Sequence, residues 1–302
     1  MRYTEERYIS LLTDFGFKRI FGTLPNKDLL ISFLNSLFNG EEVVKDVHFL
    51  NSEHVGDVYA ERKAIFDVYC ENERGEKFIV EMQNAKQHYF KDRSLYYATF
   101  PIREQAPKGQ DWNFKLAHVY VVALLNFDMH EEAFARDSII HDVALIDKET
   151  NKVFNEKLRF KYVEVAKFNK NLDELDTLYD KWIYVLKNLA RLNKQPAHLH
   201  NAVFDHLFSE AEIASFTHTE LKEYEDSLKA YRDIKNSLDT AKDEGRAEGM
   251  AKGMAEGMAK GMAKGRVETL NKMVSEMKRE GLGYDLIEKL TGLDQKDIDA
   301  IP

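Results

Sequence analysis

Two short apolar segments, each with a carboxylate in its middle, constrain the fold more than any other feature. Residues 64–70 read Ala-Ile-Phe-Asp-Val-Tyr-Cys, and residues 77–83 read Lys-Phe-Ile-Val-Glu-Met-Gln. Runs this short and this rich in β-branched and aromatic side chains form strands. The connecting Glu-Asn-Glu-Arg-Gly-Glu-Lys carries the glycine, Gly75, that a hairpin loop needs. A charge in mid-strand among apolar neighbours is costly unless it is paired, solvated or bound to a metal. Alternation puts Glu81 and Gln83 on one face and Val80 and Met82 on the other. If the hairpin pairs the two strands, Asp67 comes close to Glu81 and Gln83, with a register uncertain by about two residues.

The flanking sequence places this hairpin in a mixed fold. Leu29, Leu30, Phe33, Leu34, Leu37 and Phe38 recur at helical spacing after Pro25-Asn26, and Asn39-Gly40 ends the helix. Residues 43–50 form a first strand, residues 88–106 a long helix interrupted only by Pro101, and residues 116–127 a strongly apolar strand. The order is helix, three strands, helix, strand, in residues 1–130. Residues 131–208 continue this core with a strand at 157–165 and an amphipathic helix at 172–192 carrying Leu175, Leu178, Trp182, Val185 and Leu189. Residues 209–302 are helix-forming and highly charged. The class expected is therefore α/β (α+β), with a largely α-helical C-terminal region.

That C-terminal region holds the one clear repeat. Gly245, Gly249, Gly253, Gly257, Gly261 and Gly265 recur every fourth residue, mostly as Ala-Lys/Glu-Gly-Met. Four residues advance about 40° beyond a full helical turn, so the glycine line winds round the helix and a partner would cross it in the right-handed sense. Each glycine costs about 1 kcal/mol of helix stability against alanine. Two explanations fit: close helix–helix packing in self-association, with Met filling gaps, or a weakly helical linker enlarged by repeat slippage. Residues 267–302 end in a short helical hairpin around Thr291-Gly292, acidic and poor in Arg, better suited to packing than to reading a DNA groove.

Composition removes several classes. The formal charge of −9 over 302 residues, from 43 Lys+Arg against 52 Asp+Glu, argues against a surface that coats nucleic acid throughout. It leaves room for a local basic groove. The single cysteine, Cys70, excludes a disulfide framework or Cys-rich zinc module and fits a reducing compartment. No run of about 18 apolar residues exists, and the first residues have no apolar signal core. A soluble, bacterial-type cytoplasmic protein is expected. No phosphate loop, dinucleotide fingerprint or nucleophile elbow occurs. His198, His200 and His206 lack the spacing to share one helix face, and His141-Asp142 has no nucleophile attached.

The chemistry therefore rests on the hairpin. Two carboxylates and an amide carbonyl converging on one point are hard oxygen ligands, suited to Mg²⁺ or Mn²⁺. Such an ion activates water and stabilises charge developing on a phosphodiester. The competing explanation is a structural salt bridge to Arg62, Lys63 or Arg93.

At this point the residues resemble a known family. The order helix–strand–strand–strand–helix–strand, with Asp67 on the second strand and Glu81-Met82-Gln83 on the third, resembles the PD-(D/E)XK nucleases and their restriction-endonuclease-like αβββαβ core. More narrowly, the chain looks like the Rpn family of recombination-promoting nucleases and transposases. Further matches are Asp14-Phe15-Gly16-Phe17-Lys18 with Phe21, the set Phe90, Arg93 and Tyr97, the tripeptide Lys108-Gly109-Gln110, and the C-terminal repeats with their Leu-Thr-Gly-Leu hairpin.

The resemblance implies a metal-dependent DNA endonuclease, with Asp67 and Glu81 as ligands for Mg²⁺ (or Mn²⁺ or Ca²⁺) and Gln83 positioning the attacking water. Gln83 stands where the wider superfamily carries lysine; glutamine hydrogen-bonds but brings no charge. The ion then acts alone, a lysine from elsewhere such as Lys18 substitutes, or activity is low. Asp14 is a further acidic candidate or a helix N-cap. Arg93 is placed to hold a phosphate or pair with Glu81, and Tyr97 to join the site or the core. Lys86, Lys91, Arg93, Arg103, Lys108 and Lys115 lie in a stretch whose acids are Asp92, Glu104 and Asp111, marking a DNA-facing surface. DNA and a second copy of the chain, joined through the C-terminal helices, are the partners expected, with no membrane. The rival is a nuclease-fold protein that binds DNA or partners without cutting. Residues 1–120 hold 16 Lys+Arg and 18 Asp+Glu, so most of the acidity lies beyond the core.

Overall fold

The computed structural model describes residues 6–54, 64–106 and 113–302. Its helices are α1 Asp14–Phe21, α2 Lys27–Phe38, α3 Phe90–Glu104, α4 Leu178–Asn188, α5 Ala202–Glu210, α6 His218–Arg279, α7 Tyr284–Thr291 and α8 Gln295–Ala300. The strands are β1 Val47–Phe49, β2 Glu53–His54, β3 Ala64–Ile65, β4 Val68–Asn72, β5 Lys77–Gln83, β6 Val119–Leu125, β7 Ile140–Ile146 and β8 Val153–Glu164. Two compact units result, Met1–Asn236 and Ser237–Pro302.

The first unit is built on a six-stranded mixed sheet ordered β1-β4-β5-β6-β8-β7. Its outer pairs β1/β4, β4/β5 and β7/β8 are antiparallel, and the β5, β6 and β8 ladders at the centre are parallel. Parallel strands need cover on both faces, and the sequence of β6 shows it: all seven residues are buried. Alternate side chains go to opposite sides. Phe78, Val80 and Met82 of β5 face a core shared with α1, α2, α4 and α5, centred on Trp182, which packs against Phe21, Phe33 and Phe204. Ile79 faces the other core, under Phe90, Ala98 and Phe100 of α3. Glu81 and Gln83 share the side of Ile79 and so look toward α3.

Several expectations need revision. Residues 64–70 do not form one strand: Ala64–Ile65 pairs with β2 in a separate two-stranded ribbon, Val68–Asn72 joins the main sheet, and Asp67 sits at the bend between them. The predicted helix at 172–192 is shorter, because Thr177 caps α4 with Asp180 in a capping box and a 3-10 turn follows at Leu189–Arg191. β7 was not anticipated; its exposed outer half gives it weak alternation. Asp14 is not the N-cap of α1. Thr13 is, its hydroxyl accepting the Gly16 N–H at 3.1 Å while donating to the Ser10 carbonyl at 2.7 Å. Arg62, Lys63 and the Lys108-Gly109-Gln110 motif lie outside the described residues.

In the second unit, Val274 of α6, Ile287 of α7, Ile298 of α8 and Ile301 make a small core of their own. Gly292 closes α7 in the left-handed region, at φ 74°. Along the repeat, a Cβ added at any of the six glycines would meet nothing within 4 Å among the described residues.

Gly16 is different. A Cβ there would lie 2.2 Å from the Ser10 carbonyl oxygen. Gly16→Ala is therefore expected to destabilise the protein by about 1–3 kcal/mol, as overpacking does, and to shift α1. Urea denaturation monitored by tryptophan fluorescence checks this; an unchanged midpoint would show that the loop before α1 yields freely.

Candidate active site

The register of one hairpin brings the two carboxylates together. β4 pairs with β5 so that Val68 stands opposite Val80. One residue further, Asp67 falls opposite Glu81. Because the chain bends there, the Asp67 N–H leaves the ladder and donates to Glu81 Oε1 at 3.3 Å. In return Asp67 Oδ2 accepts the Met82 N–H at 2.8 Å.

Two cations reach this pair from different helices. Lys18, on α1, holds its Nζ 2.7 Å from Asp14 Oδ1 and 4.0 Å from Asp67 Oδ1. Asp14 thus enters the site by orienting Lys18. From α3, Arg93 donates to Gln83 Oε1 at 2.6 Å, and Gln83 Nε2 donates onward to Glu81 Oε2 at 3.2 Å. Arg93 pairs with Gln83 and also with Gln87, not with Glu81 directly. The rings of Phe90 and Tyr97 lie 5.4 and 5.7 Å from its guanidinium carbon and fix its plane.

These cations do not offset the cost of burying the carboxylates. Glu81 is 6 % exposed. Burial and then the neighbouring Asp67 charge push its carboxyl up to about 8, against the pull of the Asp67 N–H, Arg93 and Lys18. Burial also raises Asp67 above the usual carboxylate range, although the Met82 N–H, Lys18 and Arg93 oppose it. Burial raises the Tyr97 phenol as well, with Glu81 adding to it. Lys18 is lowered by burial but more than restored by Asp14, Asp67 and Glu81, so its ammonium stays charged. The result is two carboxylates held at the proton's edge in a half-closed site.

The other expected basic residues are placed less simply. Lys86 precedes α3 and binds the Met129 carbonyl, and Lys91 pairs with Glu131 at 2.8 Å. Arg103 lies over Phe100, and Lys115 is exposed. Lys86 and Lys91, with Gln87, His88, Phe127 and Met129, line a cleft of about 270 Å³ beyond the end of β5. Sequence reasoning missed the braces of this loop. The Asn126 N–H donates to the Gln83 carbonyl at 2.9 Å, and Asn84 donates to the Leu12 carbonyl at 2.7 Å. Isolated asparagines carry no pattern that would have revealed this.

A second group of potential ligands lies at the other end of the hairpin. Glu42, Glu76 and His118 bring ligand atoms within 4.8 Å of one another. Arg74 already bridges Glu42 and Glu76 at 2.7 and 2.6 Å, Tyr120 donates to Glu42, and Asn72 donates to Glu76. Burial raises Glu76, but Arg74 and Asn72 carry it below its usual range, the reverse of Glu81. A divalent ion could be held there only by displacing the arginine, so its charge is met from within. The three histidines near residue 200 disperse: His200 binds Asp205 and His206 binds Asp28.

The family described as PD-(D/E)XK nuclease family transposase matches residues 11–241, a span that includes Asp14, Lys18, Asp67, Glu81, Gln83 and Arg93. No curated protein and no solved structure matches the chain. No helix among the described residues is long and apolar enough to cross a membrane. A mixed sheet with paired carboxylates on adjacent strands, under a match of this length, leads to one conclusion: the chain belongs to the PD-(D/E)XK nuclease family of transposases.

Proposed function

We propose that the protein is a Mg²⁺-dependent DNA endonuclease of the Rpn type, acting in the cytoplasm and serving DNA recombination. The observation that carries this reading is the Asp67–Glu81 pair, two buried carboxyl groups in contact whose ionisation desolvation opposes despite Lys18 and Arg93 nearby. Carboxylate oxygens in that state suit a hard divalent cation, with Mn²⁺ or Ca²⁺ as substitutes for Mg²⁺. When bound, the ion supplies an activated water and stabilises charge on the phosphodiester.

The chain's own residues do the rest. Asp67 and Glu81 hold the cation. Gln83, fixed at both ends of its amide by Glu81 and Arg93, orients the attacking water. Lys18 brings the positive charge that lysine at position 83 would have brought, steered by Asp14. Arg93 lends its charge through Gln83, and Tyr97 supports Arg93. Lys86, Lys91, Arg103 and Lys108 hold the DNA backbone, with Lys86 and Lys91 exchanging the Met129 carbonyl and Glu131 for phosphates. The protein works as a homo-oligomer through its C-terminal helices.

Because both heteroatoms of the Gln83 amide are already hydrogen-bonded, a second reading is favoured to a lesser degree: a protein of nuclease fold that binds DNA without cutting. Plasmid nicking with Mg²⁺ or Mn²⁺ separates the two. Asp67→Ala and Glu81→Ala are expected to reduce nicking at least about 100-fold and to abolish Mn²⁺ binding in calorimetry. Lys18→Met is expected to cost roughly 10–100-fold in rate while leaving Mn²⁺ bound. Cleavage that survives Glu81→Ala would remove these residues from the chemistry, and DNA binding with no cleavage under any ion would select the second reading.

The raised Glu81 pKa gives a test that needs no substrate. A folded carboxyl near 8 keeps its proton where the unfolded one, near 4.5, has lost it. Stability in EDTA therefore falls as pH rises from about 4.5 to about 8, then levels. Glu81→Gln removes that slope. The variant and parent are expected to coincide near pH 4 and to differ near pH 8 by on the order of a few kcal/mol, the variant being the more stable. Mg²⁺ is expected to raise the melting temperature of the parent only. Parallel stability curves would show that Glu81 is ionised in the folded protein without a cation.

A further inference from the structure

The charged residues of the repeat form an antisymmetric line. At four-residue intervals they read Glu244, Glu248, Lys252, Glu256, Lys260, Lys264. Turned end for end, the line meets the opposite sign at every position: Glu244 with Lys264, Glu248 with Lys260, Lys252 with Glu256. Laid parallel and in register, it would meet its own sign throughout. Pairing within one helix does not explain the order. Glu248 and Lys252 do pair, at 2.7 Å, and Lys264 lies 3.9 Å from Glu268, but Glu244–Glu248 and Lys260–Lys264 are like charges at i,i+4, an arrangement that disfavours an isolated helix.

The flanks of the helix select the same orientation. Each of Lys252, Glu256, Lys260 and Lys264 directly precedes a glycine, and Met250, Met254, Met258 and Met262 directly follow one. At about 100° per residue, charges lie on one side of the glycine line and methionines on the other. Two antiparallel helices facing through glycine bring charged flank to charged flank and methionine flank to methionine flank. Two parallel helices bring charge against methionine. The four methionines are 68–77 % exposed, an apolar line that nothing in this chain covers among the described residues. Glycines with open space at every Cβ position let a second backbone come close enough for both flanks to meet.

One register satisfies all three lines. Centred on Met254, it sets Met254 against itself and Met250 against Met258, and it leaves Met262 opposite Arg246. It makes the charge pairs above, and it places Gly253 of one helix between Gly253 and Gly257 of the other. We infer that residues 244–264 dock on the same segment of a second copy of this chain, antiparallel, about a two-fold axis at Met254. The contact is isologous and closes on itself, and the axes cross in the right-handed sense because the lines wind about 40° per repeat. The inference rests on the proposed self-association and not on nuclease activity.

Light scattering on the full chain at low salt is expected to give a dimer. A variant carrying Glu244→Lys, Glu248→Lys and Glu256→Lys is expected to be monomeric, as is one carrying Lys252→Glu, Lys260→Glu and Lys264→Glu, and mixing the two is expected to restore a dimer. Orientation is read from nitroxide labels on Ala247→Cys or Ala255→Cys, with Cys70 buried and unlabelled. The labels at 247 are expected to sit roughly 20 Å further apart along the axis than those at 255, from a rise of about 1.5 Å per residue. Equal separations would overturn the antiparallel arrangement while leaving self-association intact. A monomeric parent would overturn both.

Discussion

The register of the β4–β5 hairpin is the constraint on which the site depends. With Val68 opposite Val80, the next residue toward the open end of the hairpin must be Asp67 opposite Glu81. Neither carboxylate is free to move away. Phe78, Val80 and Met82 anchor β5 in one core and Ile79 anchors it in the other. A slip by one residue would drive Glu81 into the core around Trp182 and turn the three anchors toward α3, because side chains alternate strictly along a strand. Two sheet cores thus hold two desolvated carboxylates in contact, and the electrostatics follow from packing.

What surrounds the pair comes from helices that converge without being neighbours in sequence. Lys18 reaches it because α1 starts at a fixed point, where Thr13 caps the helix and Gly16 lies against the Ser10 carbonyl. The start of α6 braces that point: Tyr224 accepts the Ser10 N–H at 3.0 Å and Ser227 the Phe15 N–H at 3.1 Å. Arg93 reaches the pair from the opposite core, by way of Gln83. Each cation is tied to its own anion or amide, so the net positive charge at the site is small. The chain's overall −9 is likewise uneven, since residues 1–120 hold 16 Lys+Arg and 18 Asp+Glu.

Much of this was legible in the chain. The strand at Lys77–Gln83 was read to its ends, because continuous apolar character bounded by a loop leaves little choice. The shared side of Glu81 and Gln83 followed from alternation alone. The split around Asp67 was not legible: Ala64-Ile-Phe-Asp-Val reads as one strand, and only pairing of its first residues with β2 breaks it. Asp14 looked like a cap because acids favour helix starts, yet the preceding threonine took the role by also holding Ser10. The partners of Arg93 and Lys86 were invisible, since a long cation can reach many acceptors and sequence does not rank them.

By itself the sequence determined the α/β class, the position of Glu81 in its strand, and the antisymmetric order of charges in the repeat. These are properties of local periodicity, set by how side chains project from a strand or helix. Tertiary structure alone decided that Asp67 lies at a bend, that Lys18 and Arg93 approach from opposite sides, and that Glu81 is buried deeply enough to hold its proton near pH 8. Those depend on which surfaces pack together, and desolvation at a point is a property of everything around it.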